Sequence, residues 1–295
     1  MLIYKNQRRR TIIHVQAYFD DTTNTVSYLV EDTATQQAVL IDPVLDYEPN
    51  RAALQTLSVD AILKDVHARG LTLTWGLDTH VHADHLSAAD YVRKETGAKI
   101  GFGAKITQVQ KLFGPVFNAK DVCANGTVFD ALLEEGDELP FGSTAIKVLH
   151  TPGHTPACVT YVIEDAAFVG DTLFMPDYGT ARADFPGGDA RTLYQSIQKI
   201  LSLPPATRIF VGHDYLPKDR STIAWESTVA KQTASNVHIS GNDEDAFVAM
   251  REARDETLAA PRLILPSLQV NIRAGALPPP EQDGHTYLKL PINQL

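Results

Sequence analysis

The sequence predicts a mixed α/β protein in which two β-sheets are layered together and flanked by helices. Two observations carry that expectation. Each half of the chain mixes strand-like and helix-like segments in a similar order, and several of the strands run directly into a His or an Asp. Metal-ligating side chains gathered at strand ends are what an α/β scaffold presents along one edge of its sheets.

Taken in order, residues 12–18, 25–30 and 38–41 read as strands separated by polar turns such as Asp20-Asp21 and Glu31-Asp32, and Asp42-Pro43 closes the third. Residues 50–69 place Ala53, Leu54, Leu57, Ala61, Ile62 and His67 at helical spacing, with Gly70 as the stop. Residues 71–77 form a short apolar strand that enters a histidine cluster, and residues 87–96 read as a helix closed by Gly97. A second group of strands is expected at 138–141, 145–150, 158–163, 167–169 and 208–211. The stretch 191–203 carries Leu193, Ile197, Ile200 and Leu201 on one face, and Pro204-Pro205 ends that helix. A last helix is expected over 244–258, followed by a Pro-rich tail around Pro278-Pro279-Pro280 that wraps over the body.

At 295 residues the chain can hold one large or two ordinary domains, with 44% hydrophobic and 21% charged residues and a net charge of -10. That charge disfavours nucleic-acid and anionic-membrane partners, which both require clustered Lys and Arg. The one basic cluster, Arg8-Arg9-Arg10, reads as a solvated stretch before the first strand. Cys123 and Cys158 are too few and too far apart for a disulfide framework or a thiolate zinc site. No apolar run approaches the roughly 20 residues of a membrane span, and the N-terminus lacks a signal peptide's apolar middle, so a soluble cytoplasmic protein is expected.

The chemistry lies in Thr79-His80-Val81-His82-Ala83-Asp84-His85, which holds four potential ligands within six residues. In an extended loop residues two apart face the same side, so His80 and His82 are expected to address one metal and Asp84 and His85 a neighbouring position. Burying such groups without a metal or proton partner is costly, which makes a purely structural origin for the run improbable. Imidazole and carboxylate suit zinc, iron or manganese, and the lack of nearby cysteine disfavours cluster chemistry. His154 sits in the rigid turn Thr151-Pro152-Gly153-His154-Thr155-Pro156, while Asp171 and His213 each follow an expected strand. His14, His67, His238 and His285 are isolated and read as surface or hydrogen-bonded residues.

On these residues the sequence resembles the metallo-β-lactamase superfamily, whose His-x-His-x-Asp-His run, later His, Asp and His match His80 to His85, His154, Asp171 and His213. The resemblance implies a four-layer αβ/βα sandwich, as one domain over residues 1–295 with a C-terminal extension from about residue 240. Four further stretches are similar to the persulfide dioxygenases: Gly170-Asp171-Thr172-Leu173-Phe174, Gly179-Thr180-Ala181-Arg182-Ala183-Asp184-Phe185, Arg191-Thr192-Leu193-Tyr194-Gln195-Ser196 and Gly212-His213-Asp214-Tyr215. Leu263-Ile264-Leu265-Pro266-Ser267-Leu268-Gln269-Val270-Asn271 resembles bacterial members labelled β-lactamase-like hydrolases.

That likeness implies a single Fe(II) held by His80, His154 and Asp171, oxidising glutathione persulfide with O2 and water to sulfite and glutathione. His82, Asp84, His85 and His213 would then orient waters and ligands through hydrogen bonds or, on the other reading, hold a second metal. Arg182 is the chosen contact for a glutathione carboxylate, against an ion pair with Asp184, and Tyr215 is the next candidate. The rival is a thioester hydrolase resembling glyoxalase II, with two zinc or iron ions activating a hydroxide. A homodimer is the default expectation for assembly.

Overall fold

The computed structural model describes residues 13–294. Arg8-Arg9-Arg10 and Ile12, the expected start of the first strand, lie outside the described residues. Strands β1 (Ile13–Asp20), β2 (Thr25–Asp32) and β3 (Gln37–Ile41) form an antiparallel meander. Next come β4 (Val44–Glu48), β5 (Ala53–Gln55) and helix α1 (Leu57–Ala68). The expected helix over 50–69 is therefore corrected at its start. Ala53 and Leu54 fit a helical period, but tertiary pairing wins: Leu54 lies opposite Tyr47 of β4, and Asp46 of β4 accepts from Ser58 N (2.9 Å) and Oγ (2.6 Å). That carboxylate satisfies an otherwise orphaned amide at the helix start.

β6 (Thr72–Leu77) lies parallel to β3, and the short β7 (Leu86–Ser87) pairs with β4 before α2 (Ala89–Thr96) begins. β8 (Lys99–Gly103), α3 (Ile106–Val116) and β9 (Ala131–Leu133) complete a sheet ordered β1-β2-β3-β6-β8-β9. The second sheet runs in chain order: β10 (Glu138–Phe141), β11 (Thr144–His150), β12 (Val159–Ile163), β13 (Ala166–Phe168), β14 (Arg208–Phe210) and β15 (Glu226–Thr228). Helix α4 (Ala190–Leu201) connects β13 to its parallel partner β14. Helices α5 (Val229–Ser235), α6 (Glu244–Asp255) and α7 (Ile264–Asn271) follow β15.

Strand periodicity builds the layers. Val26, Tyr28, Val30, Val39 and Ile41 point inward and pack with Ile146, Val148, Tyr161, Phe168 and Phe210 of the other sheet. The intervening Leu29, Ala38 and Leu40 point outward against Val59, Ile62 and Val66 of α1 and Val92 of α2. In the second sheet Ala167, Val169, Ile209 and Val211 face outward onto Leu193, Ile197 and Ile200 of α4. Successive side chains alternate faces, and here both faces are covered, which is why β2 and β3 read as almost unbroken apolar runs. The result is the expected four-layer αβ/βα sandwich. The Pro-rich tail crosses the body, with Lys289 N donating to Gln269 Oε1 (2.8 Å) and Leu288 packed on the α1–α2 side. Among the described residues no helix is long and apolar enough to cross a membrane.

Candidate metal centre

The chosen ligands meet where the two sheets share an edge. Val26 N donates to Gly212 O (2.8 Å) and Val159 N to Thr79 O (2.9 Å), so backbone hydrogen bonds join the sheets beside the His80–His85 loop. The turn that carries His154 rests on α4: Asp189 N donates to Gly153 O (2.9 Å) and Ser196 Oγ to Pro152 O (2.6 Å). Gly153 sits at φ 132°, and any Cβ there would fall on the Leu193 backbone, so this approach requires glycine. Gly170, at φ 51°, likewise lets the Asp171 turn pass against the Thr79 side chain.

Each histidine of the centre spends one ring nitrogen on an outer partner. Thr79 Oγ1 donates to Asp42 Oδ2 (2.8 Å), which leaves it to accept from His80 Nδ1 (3.1 Å). His154 Nδ1 donates to Arg182 O (2.7 Å), His85 Nδ1 to Leu86 O (3.1 Å) and His213 Nδ1 to Asn24 O (3.2 Å). These bonds fix the tautomers and turn the Nε2 lone pairs inward. His82 is reversed: its Nε2 meets Asp42 Oδ1 at 3.1 Å, and only Nδ1 faces the centre.

The inward atoms fall into two groups. His80, His154 and Asp171 form one, with His80 Nε2 and His154 Nε2 each 3.8 Å from Asp171 Oδ2. Two ligands about 2.1 Å from one ion can be at most about 4.2 Å apart, so this trio fits a common ion. His82, Asp84, His85 and His213 form the other, with His213 Nε2 3.2 Å from Asp84 Oδ2 and 3.4 Å from Asp171 Oδ1. His80 and His82 fall into different groups, although each keeps one buried ring nitrogen without a partner. Their rings lie 4.1 Å apart, and the bond from His82 Nε2 to Asp42 leaves its Nδ1 toward the centre.

Six side-chain atoms of the two groups are buried with no hydrogen-bond partner: His80 Nε2, His82 Nδ1, Asp84 Oδ2, His85 Nε2, Asp171 Oδ1 and His213 Nε2. Orphaned lone pairs of nitrogen and oxygen gathered in this way are the donor set of a hard or borderline cation. Burial pushes the Asp171 carboxyl up and, with the neighbouring histidines, holds His80 well below the usual imidazole range. A cation at the trio would restore the ionised carboxylate and use the neutral imidazole. Burial also takes His85 down to about 3, whereas the Asp42 carboxylate overcomes the effect of burial at His82 and lifts it to about 9.

Asp42, Asp78 and Asn271 belong to this centre and were missed in the sequence. Asp42 accepts from Thr79 N (2.7 Å) as well as from Thr79 Oγ1 and His82, and Asn271 Nδ2 donates to His82 O (2.8 Å) and His85 O (2.9 Å). Asn271 closes the Leu263–Asn271 stretch singled out above, but nothing in that stretch points to the histidine loop.

A cavity of about 300 Å³ opens over His154, Asp171 and Asp84, lined by Phe174, Tyr178, Arg182, Tyr215, Arg251 and Arg254 among others. Tyr215 stacks on His213 at 5.5 Å and 14°. Arg182 lines the wall, but its fork lies on Asp184 (Nε to Oδ1 2.5 Å, Nη2 to Oδ2 2.6 Å) and its Nη1 on Ala259 O (2.7 Å).

Comparison with known proteins adds the lineage. A family model described as Metallo-beta-lactamase superfamily matches residues 20–213. The chain is 53% identical to a probable metallo-hydrolase of Burkholderia pseudomallei over 95% of its own length and 99% of that protein. It is 45% identical to Glyoxylase B2 of Dictyostelium discoideum over 90% and 92% of the two chains. Against the mitochondrial persulfide dioxygenase ETHE1 of Homo sapiens it is 34% identical, covering 74% of each. Some curated relatives are longer: the chain spans 65% of beta-lactamase hydrolase-like proteins to which it is 52% to 54% identical. The crystal structure of ETHE1 from Myxococcus xanthus superposes with a TM-score of 0.71 at 33% identity, over 89% of this chain and 100% of that one.

Proposed function

The chain belongs to the metallo-β-lactamase superfamily, and we propose that within it this protein is a persulfide dioxygenase holding one Fe(II) through His80, His154 and Asp171. The reaction is R–S–SH + O2 + H2O → R–SH + SO3²⁻ + 2 H⁺, with glutathione persulfide as the expected substrate. The observation that carries the reading is the group of two imidazoles and one carboxylate formed by His80, His154 and Asp171. The likeness to relatives named persulfide dioxygenase supports it.

An Fe(II) held by His80, His154 and Asp171 would supply the means to activate O2 toward a bound sulfur. The chain's own residues do the rest. Asp171 would balance the ion's charge, the Arg182 carbonyl holds the His154 ring, and the Asp42–Thr79 pair holds that of His80. Phe174, Tyr178 and Tyr215 wall the approach with apolar surface that keeps stray water from the reacting sulfur. A reducing, cytoplasmic setting is part of the proposal and suits the two free thiols, Cys123 and the buried Cys158.

One observation favours a second reading. The unpartnered atoms of His82, Asp84, His85 and His213 could hold another ion, as a glutathione thioester hydrolase would need. Anaerobically purified protein separates the two. We expect one iron per chain and O2 uptake dependent on glutathione persulfide; two metals per chain with O2-independent turnover of S-lactoylglutathione would sink the dioxygenase.

A further inference from the structure

Three arginines line the cavity above the metal centre, and two of them are already spent. Arg182 is forked onto Asp184 and the Ala259 carbonyl. Arg251 is buried, with Nε on Asp255 Oδ1 (3.0 Å) and Nη1 on Thr180 O (3.2 Å). Arg254 differs from both. It lines the same cavity from α6, is exposed, and its guanidinium makes no hydrogen bond or ion pair among the described residues. The residues three and four before it on α6 are Arg251 and Met250, so no acid one turn back on the helix competes for it. The nearby Asp255 is already taken by Arg251 and by Ala183 N (2.8 Å).

The cavity thus brings together His154, Asp84 and Asp171 of the metal centre, the aromatic rings of Phe174, Tyr178 and Tyr215, and the unused cation of the exposed Arg254. In a chain of net charge -10 such a cation stands out as a place for an anion. We propose that Arg254 is the specificity-determining residue of the site, pairing its planar fork with a carboxylate on the substrate while the substrate's sulfur reaches the metal end. The inference rests on the reading above for the sulfur end only; a glutathione thioester would present the same carboxylates. It also places the anchor beyond residue 213, where the family match ends, so selection comes from a segment outside the matched region.

The test pairs binding with kinetics on the iron-loaded enzyme. Glutathione affinity is measured calorimetrically without O2, and KM is measured for glutathione persulfide and for the persulfide of 2-mercaptoethanol, whose tail has no carboxylate. Arg254→Gln should weaken glutathione binding and raise the KM for glutathione persulfide about tenfold, with Arg254→Glu worse, while the mercaptoethanol persulfide shifts less than about twofold. Arg254 is exposed, so both variants should fold, and an unchanged melting midpoint checks this. Equal shifts for both substrates, or none for either, overturn the proposal. If the wild-type protein consumes no O2 with either persulfide, the dioxygenase reading fails by itself; glutathione affinity then still decides, dependence on Arg254 keeping the anchor and independence ending it.

Discussion

The two halves of the metal centre contain similar residues and are prepared differently. In one, His80 and His154 aim their Nε2 atoms at the same oxygen of Asp171, and none of the three bonds another member of the trio. In the other, His82 is bound outward to Asp42, and His213 already lies at ion-pair distance from Asp84 and Asp171. Both halves hold buried atoms without a partner, at His80 and Asp171 in the first and at His82, Asp84, His85 and His213 in the second, so each is incomplete without a cation. Counting ligands cannot separate them; the outer hydrogen-bond partners do.

The largest expected effect breaks the halves apart. Asp171→Ala removes the carboxylate of the trio and should abolish iron binding and O2 uptake. Asp84→Ala should keep most of the iron, with affinity lowered by no more than about 10- to 100-fold, the range for groups that orient ligands. Metal analysis of both variants decides, and equal loss would mean that the halves act as one dinuclear site. Asp42→Asn probes why they differ. Asn retains the size and tolerates the φ of 49° at this position, but withdraws the charge that holds His82. We expect uptake of a second metal, together with a loss of about 3 kcal/mol in stability from the broken buried pair. Unchanged stoichiometry would show that Asp42 does not set the metal count.

How much of this could be read from the sequence follows the same division. The His80–His85 run was legible because so many ligating groups in so short a stretch are too costly to bury idle. Asp42 was not. In the sequence Asp42-Pro43 looks like a strand stop, and its bonds to Thr79 and His82 exist only because β3 and β6 pair in parallel across 30 residues of intervening chain. The strand alternation that makes two covered sheets was visible, but the segment from β8 to β9 was passed over, since Lys99–Gly103 is short and glycine-containing and α3 carries Gly114 and Pro115. Arg254 sits on an expected helix and looks there like any solvated arginine. Only the cavity reveals that its charge is unspent.

The smallest expected effect concerns the cavity wall and sharpens the contrast between metal-linked and metal-independent titration. His238 Nδ1 accepts from Thr180 N (3.0 Å), a role that requires a bare nitrogen, and it supports the Gly179-Thr180 stretch beside the cavity. Burial, aided by Arg251 and Arg254, pulls its pKa from 6.5 to about 4. The unfolded chain therefore takes up this proton first. The contribution to stability is complete above pH 6.5 and is lost as pH falls toward 4, with a slope of at most about 1.4 kcal/mol per pH unit. Acid also strips metal from histidines, so the wild type must be compared with His238→Asn at equal metal loading, where the contribution of the centre cancels. Asn can accept from Thr180 N without titrating, so denaturation between pH 4 and 6.5 should show a shallower slope in the variant. Identical slopes would place all of the acid sensitivity in the metal centre and none in the wall.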